Sequence, residues 1–338
     1  MAGNVTAAVQ GGFLVVTGDA ADNGVTIDYN QVTKAYSVIG TSQGGSNTTV
    51  NGLDTAVVAN AQIFTNVTRG LRINMNSGND NLVFGAATTS TFVVVGSVTI
   101  DMGLGNDTVT IGRNGNAAGG ADPIENEFNV GASMAIKLGG GNDTIDITNA
   151  TIARDLVIHA DVNSPLNVAA DGSDIVRFPT TFTPAGGTLQ NFPVTVGGKA
   201  TVLLGGGVDT FTARNFTAHR GMLVGDMGGN LTMDVLDSRI GGEFKLQKTG
   251  GAANDIEIDN VTAGTLRLNT GNGVDTLAIR DSIFERLYIE TAASRDIITI
   301  GNTSVRKLGL IAGGRDKARL IQEPGNSLRA VAKRRTFS

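Results

Sequence analysis

Four segments of this chain repeat one arrangement of residues with chemical potential: GLGNDTVTI (103–111), GGGNDTIDI (139–147), GGGVDTFTA (205–213) and GNGVDTLAI (271–279). Each sets an aspartate directly after a glycine-rich turn and directly before an alternating apolar segment. A carboxylate in that place can accept backbone N–H groups and so shape a tight turn. SGND, ending at Asp80, is a shorter version. The only histidines are His159 and His219, in His159-Ala160-Asp161 and Ala218-His219-Arg220-Gly221. Acid–base catalysis would need neighbouring segments to bring further carboxylates or bases to them. No Asp-Asp pair and no Gly-His-Gly element occurs, and the chain lacks Trp, the residue best suited to stacking on sugar faces.

The four segments resemble the haemolysin-type (RTX-like) calcium-binding nonapeptide, G-G-x-G-x-D-x-U-x. In that family the aspartates and glycine-rich carbonyls hold Ca²⁺ between neighbouring turns of a parallel β-roll. The resemblance implies Asp107, Asp143, Asp209 and Asp275 as metal ligands and Ca²⁺ as the cofactor, with Asp80 a poorer match. Calcium takes roughly six to eight hard oxygens, and glycine lets carbonyls converge. Here the motifs stand singly rather than in tandem, and turn formation remains the competing role for the same aspartates. More broadly, the chain resembles the Gly-Asn-Asp-rich parallel β-helix proteins that bacteria export as surface layers, adhesins and matrix components.

The elements that must carry these turns are legible as a repeat. In residues 266–300, Leu266 and Leu268 alternate with polar residues, a turn ends at Asp275, and Leu277 and Ile279 alternate again. The unit restarts at Leu287 and Ile289 with Asp296, and at Leu308 and Leu310 with Asp316, so Asp255, Asp275, Asp296 and Asp316 recur about every 20 residues. Upstream the same unit is longer, which implies added loops or a third side. Alternation over four to six residues predicts strands with one buried face. Two such strands per unit bury nothing alone; stacking the units about 4.8 Å apart does. The expected fold is all-β: a parallel β-solenoid (β-helix), right-handed, of about ten coils with an N-terminal β cap. Residues 1–60 are assigned to that cap, beginning with a Gly11-Gly12 hairpin, 61–322 to the solenoid and 323–338 to a basic tail. The stretch 163–187, with Pro165, Pro179 and Pro184, breaks the pattern and is expected to protrude as a loop. Pro324, with no N–H to donate, is expected to end regular pairing.

Composition narrows the function. Forty-seven glycines without a triplet period exclude collagen, and 41% hydrophobic residues exclude a disordered polymer. The absence of cysteine excludes disulfides and Cys-ligated metals. No apolar run is long enough to span a membrane, and no signal peptide is visible at Met1-Ala2-Gly3-Asn4. No phosphate loop or basic–aromatic nucleic-acid patch is present. The end of the chain (Arg315, Lys317, Arg319, Arg329, Lys333, Arg334 and Arg335 against Asp316 and Glu323) is basic, and the body is acidic, within a net charge of −5. The expected function is a non-enzymatic structural or adhesive module, extracellular or at the cell surface. Its expected contacts are head-to-tail self-association and an anionic surface or polysaccharide met by the basic tail. A carbohydrate-active β-helix enzyme, a polysaccharide lyase or glycosidase, is the alternative. It would need a groove of acidic and basic side chains from three adjacent coils.

Overall fold

The computed structural model describes residues 3–54, 61–85, 91–112, 127–161, 172–179, 181–182, 190–312, 318–328 and 331–334. Alternating apolar positions make strands, and the strands stack coil upon coil in parallel register: the chain is a parallel β-solenoid. Each coil has three faces. The third face is the most regular. Asn81–Phe84, Thr108–Ile111, Thr144–Ile147, Ile175–Phe178 and Asp209–Arg214 follow one another, then Leu231–Leu236, Asp255–Asp259, Thr276–Arg280, Ile297–Gly301 and Arg319–Gln322. The second face runs through Gly70–Asn74, Ser97–Asp101, Met134–Gly139, Leu156–Asp161, Lys199–Gly205 and Gly221–Asp226.

The first face is a short strand that the repeat analysis did not separate: Phe92–Val94, Phe128–Val130, Ala150–Ile152, Val194–Val196 and Phe216–Ala218. Three residues are too few to display an alternation in sequence. In the C-terminal half this short strand fuses with the second face into single bent strands, Arg239–Lys248, Thr262–Asn269, Ile283–Glu290 and Ser304–Ala312.

Register places like residues above like. Leu82, Val109, Ile145, Val176, Phe211, Met233, Ile256, Leu277 and Ile298 form one buried ladder on the third face. Ile73, Ile100, Ile136, Ile158, Val202, Val224, Leu246, Leu268 and Ile289 form another on the second. Volume is exchanged between neighbours: Phe178 stacks on Phe216 at 4.8 Å between centroids, while its register partner is the small Ala213.

The N-terminal segment does two things. Asn4–Gln10 and Phe13–Thr17 form the expected antiparallel hairpin about Gly11 and Gly12. Phe13–Thr17 then pairs in parallel with Gly70–Asn74, and Gly24–Asn30 with Asn81–Phe84, so these strands already belong to the first coil. Ala35–Gln43 folds back antiparallel on Gly24–Asn30, and Gln62–Phe64 adds to its other edge.

Two expectations are corrected. Residues 172–178, within the stretch expected to protrude, supply a full third-face strand, Ile175–Phe178; residues 162–171, 180 and 183–189 lie outside the described residues. Pairing also continues past Pro324, through Ser327–Leu328 and Val331–Arg334, both parallel to Ser304–Ala312. Pro324 lies in the corner between Arg319–Gln322 and Ser327–Leu328, outside both strands, so its missing N–H breaks no ladder bond; its carbonyl accepts the Asn302 N–H at 3.2 Å.

Stacked turns bring backbone very close to backbone. Gly141 has φ +133°, and a Cβ built there would lie 2.0 Å from the Gly105 carbonyl oxygen of the coil below. At exposed Gly251 a Cβ meets nothing. Gly141→Ala is therefore expected to cost at least about 2 kcal/mol in chemical denaturation, and Gly251→Ala less than about 1 kcal/mol.

Candidate functional site

The glycine turns between the second and third faces stack into one corner of the rod, and the motif aspartates stack with them. Their first carboxylate oxygens form a continuous ladder. The backbone N–H of Asn23 donates to Asp80 Oδ1 at 2.7 Å, that of Asp80 to Asp107 at 2.8 Å, and that of Asp107 to Asp143 at 2.7 Å. Asp143 donates to Asp174 at 2.8 Å and Asp174 to Asp209 at 2.9 Å. All of these aspartates are buried, with at most 1% exposure.

A second ladder runs beside it on the solvent side. Asn79 N–H donates to Asp22 Oδ1, Asn106 to Asn79 Oδ1, Asn142 to Asn106 Oδ1 and Ser173 to Asn142 Oδ1, each at 2.7 Å. The Gly-Asn-Asp triplet thus has a physical meaning. A turn that reverses too sharply for a strand leaves two N–H groups unpaired; the Asp of the next coil accepts one and the Asn of the previous coil accepts the other. Where valine replaces asparagine, at Val208 and Val274, the outer acceptor is absent and the side chain is more than half exposed.

The inner ladder is interrupted once. Asp209 N–H donates to the main-chain carbonyl of Asn230, and Leu231 N–H to Asn254 Oδ1. It then resumes: Asn254 N–H to Asp275 at 3.1 Å, and Asp275 N–H to Asp296 at 3.0 Å. Asp107, Asp143, Asp209 and Asp275 therefore share one column with Asp80 and Asp296. Asp255 does not; it starts the Asp255–Asp259 strand with an exposed side chain, and Asn254 holds the column position. Reading only aspartates moved the register by one residue. Asp174 was missed because the prolines around it drew the whole segment into a loop, although Gly172-Ser173-Asp174 followed by Ile175, Val176 and Phe178 carries the signal. Asp316 lies outside the described residues.

Across the glycine turn a facing row closes the corner. Asp161 pairs in register with Gly139, Asp226 with Gly205, and Lys248 with Asp226. Asp161 accepts Gly172 N–H at 3.3 Å and Gly206 N–H at 3.0 Å. Lys248 Nζ lies 2.8 Å from Asp226 Oδ1, with both side chains fully buried. Nothing in the spacing of the motifs pointed to this row.

Such a line of carboxyl groups is electrostatically costly when ionised. Burial, opposed by the N–H bonds and reinforced by neighbouring carboxylates, raises Asp80 and Asp143 to about 7 and Asp174 and Asp209 to about 8. Asp107 and Asp275 are raised to about 6, again chiefly by burial. As ion ligands the set fits poorly. The aspartates form a line rather than a cage, each has one oxygen committed to an N–H, and calcium needs roughly six to eight oxygens. Among the described residues no three His, Asp or Glu side chains converge as a metal site.

The outward side of the third face carries ion pairs of its own. Asp146 and Arg177 form a two-point ion pair at 2.7 and 2.9 Å, and Arg280 contacts Glu257 at 3.7 Å and Glu323 at 3.4 Å. Asp234 and Glu257 are register neighbours. His159 lies outward on the second face between Lys137 and Leu203, with its pKa lowered by burial and by Lys137; His219 is in an exposed bend. Comparison of the chain with family models, with curated proteins and with solved structures returns no match.

The column predicts an unusual pH dependence. Its aspartates hold protons in the folded state over a range where the unfolded chain, with ordinary carboxyls near 3.8, has lost them. Folded-state protons are released as pH rises through about 6 to 8, so the stability they contribute is full below 3.8 and lost by the top of that window. Thermal midpoints are expected to be lower at pH 8.5 than at pH 5. Asp143→Asn, which keeps the oxygen that Asp107 N–H needs, should lessen that fall. Asp143→Ala should cost roughly 1–3 kcal/mol at either pH by stranding a buried donor.

Proposed function

We propose that this chain is a non-enzymatic structural rod that acts by scaffolding or adhesion in an extracellular or cell-surface assembly. The observation that carries this reading is the fate of the reactive groups. The motif carboxylates are spent inside the rod as hydrogen-bond acceptors between coils, and Asp146 and Arg177 on its surface neutralise each other. On this reading Asp107, Asp143, Asp209 and Asp275 hold coils together without an ion. Adding excess Ca²⁺ in place of chelator should leave the thermal midpoint unchanged; a rise, with an ion bound at these turns, would restore the calcium reading.

The ends of the rod support head-to-tail self-association. At the N-terminal end, antiparallel strands pack against the edge of the first coil. At the other end, Arg319–Gln322 and Val331–Arg334 have strand partners on one side only among the described residues. A row of free N–H and C=O groups is a template for another strand, and the basic composition of the C-terminal sequence is opposite in charge to the acidic body. Particle mass by light scattering is expected to exceed the monomer at low salt and to fall at high salt. A monomer under both conditions would defeat the assembly reading and leave the tail as a cap.

The carbohydrate-active alternative rests on Asp234 and Glu257, side by side on adjacent coils of an exposed face. Incubation with acidic and neutral polysaccharides is expected to release no new reducing ends or unsaturated products. Release that is abolished by Asp234→Ala and Glu257→Ala would favour the enzyme instead.

A further inference from the structure

The pair of Lys248 and Asp226 has features that a structural ion pair does not require. Both side chains are fully buried, and Nζ stands 2.8 Å from Oδ1. The two residues are register partners on adjacent parallel strands, so their main chains hold them at a fixed separation. Gly228 N–H donates to the same Oδ1 at 3.0 Å, and Nζ also contacts the Gly228 carbonyl. Oδ2 is buried and has no hydrogen-bond partner among the described residues. The Asp209 carboxyl is electrostatically coupled to both members of the pair.

We propose that Lys248 and Asp226 condense in the folded chain to an intramolecular isopeptide bond, a covalent staple between adjacent coils. The chemistry balances without any co-reactant. One proton passes from the Nζ ammonium to the carboxylate, turning the ion pair into an amine and a carboxylic acid. In a dry interior this exchange is favoured by removal of both charges. The Nζ lone pair adds to Cγ, and the developing charge on Oδ1 is held by Gly228 N–H, as an oxyanion is held by a preorganised donor. The Cγ–Oδ2 bond then breaks. Oδ2 leaves as water, carrying its own proton and one from Nζ, and a secondary amide remains; no atom changes oxidation state. Fixed proximity replaces an external catalyst, because the reacting groups have no freedom to separate.

The pair lies one interface beyond the break in the aspartate ladder. The inner aspartate ladder is interrupted at Asn230, in the same coil as Asp226, which ends the Gly221–Asp226 strand. There Asp209 N–H turns to a main-chain carbonyl, and the side-chain bond between coils is lacking. The staple does not cross that interface; it ties the coil that interrupts the ladder, through Asp226, to the next coil at Lys248, where Leu231 N–H meets Asn254 Oδ1 and the ladder resumes.

The intact mass of the natively purified full chain decides the matter. The expected mass is lower than that of the sequence by one water, about 18 Da, which is the signature of a new amide. After denaturation and trypsin, cleavage after Lys248 should be absent, and the peptide carrying Lys248 should be joined to residues 221–239. Lys248→Arg and Asp226→Ala should each show their full sequence mass and a lower thermal midpoint. Asp226→Asn should still give the staple, losing ammonia in place of water, an outcome that a mere ion pair would not produce. A wild-type chain of full sequence mass that trypsin cuts after Lys248 would overturn the proposal, whatever the variants do.

Discussion

The structure depends on one recurring contact: a backbone N–H in the glycine turn of one coil donating to a side-chain Oδ1 of an adjacent coil. A parallel solenoid has no difficulty pairing its straight segments, because each strand lies over its equivalent. Its corners are the difficulty. At most of these corners the N–H groups of the Asn and Asp positions have no main-chain carbonyl as partner, and a buried donor without an acceptor costs about 1–3 kcal/mol. Asp107, Asp143, Asp174 and Asp209 remove that cost for the inner donor, and Asn79, Asn106 and Asn142 do so for the outer one.

Everything else in the corner follows from that contact. The carboxyls must be buried to reach the next coil, and burial raises their pKa values. The coils must approach to hydrogen-bonding distance, so Gly141 and its equivalents cannot carry a side chain without meeting a carbonyl oxygen. The apolar ladders then fall into place, since one register satisfies both the corner and the core. A residue that neutralises charge is useful where acids accumulate. Lys248 stands beside Asp226, with Asp161 and Asp209 in the same corner.

The same residues suit two different tasks. Glycines, an asparagine and an aspartate are what a tight turn needs when the next coil must be held, and they are equally what a calcium loop needs. The distinction lies in geometry: acceptors strung along an axis hold donors of a neighbouring coil, whereas acceptors converging on a point hold an ion. In this chain a motif occurs at most once in any coil, and the carboxylates of the coils that carry one line up.

The sequence by itself determined the architecture. Alternation in segments such as Leu266–Leu268 and Leu277–Ile279, punctuated by a Gly-rich turn about every 20 residues, admits little besides stacked parallel coils, because neither strand buries its apolar face within one unit. The column of Asp107, Asp143, Asp209 and Asp275 was legible for the same reason. Tertiary structure alone decided which residue of an Asn-Asp pair faces inward, so Asn254 rather than Asp255 joins the column. It also decided that Asp174 belongs to a coil despite its prolines, and that Pro324 lies in a corner needing no donor. Three-residue strands such as Phe216–Ala218 carry too little periodicity to be seen in one dimension. The Lys248–Asp226 pair was invisible for a deeper reason: the two residues belong to different coils, and only the register of adjacent strands sets one against the other.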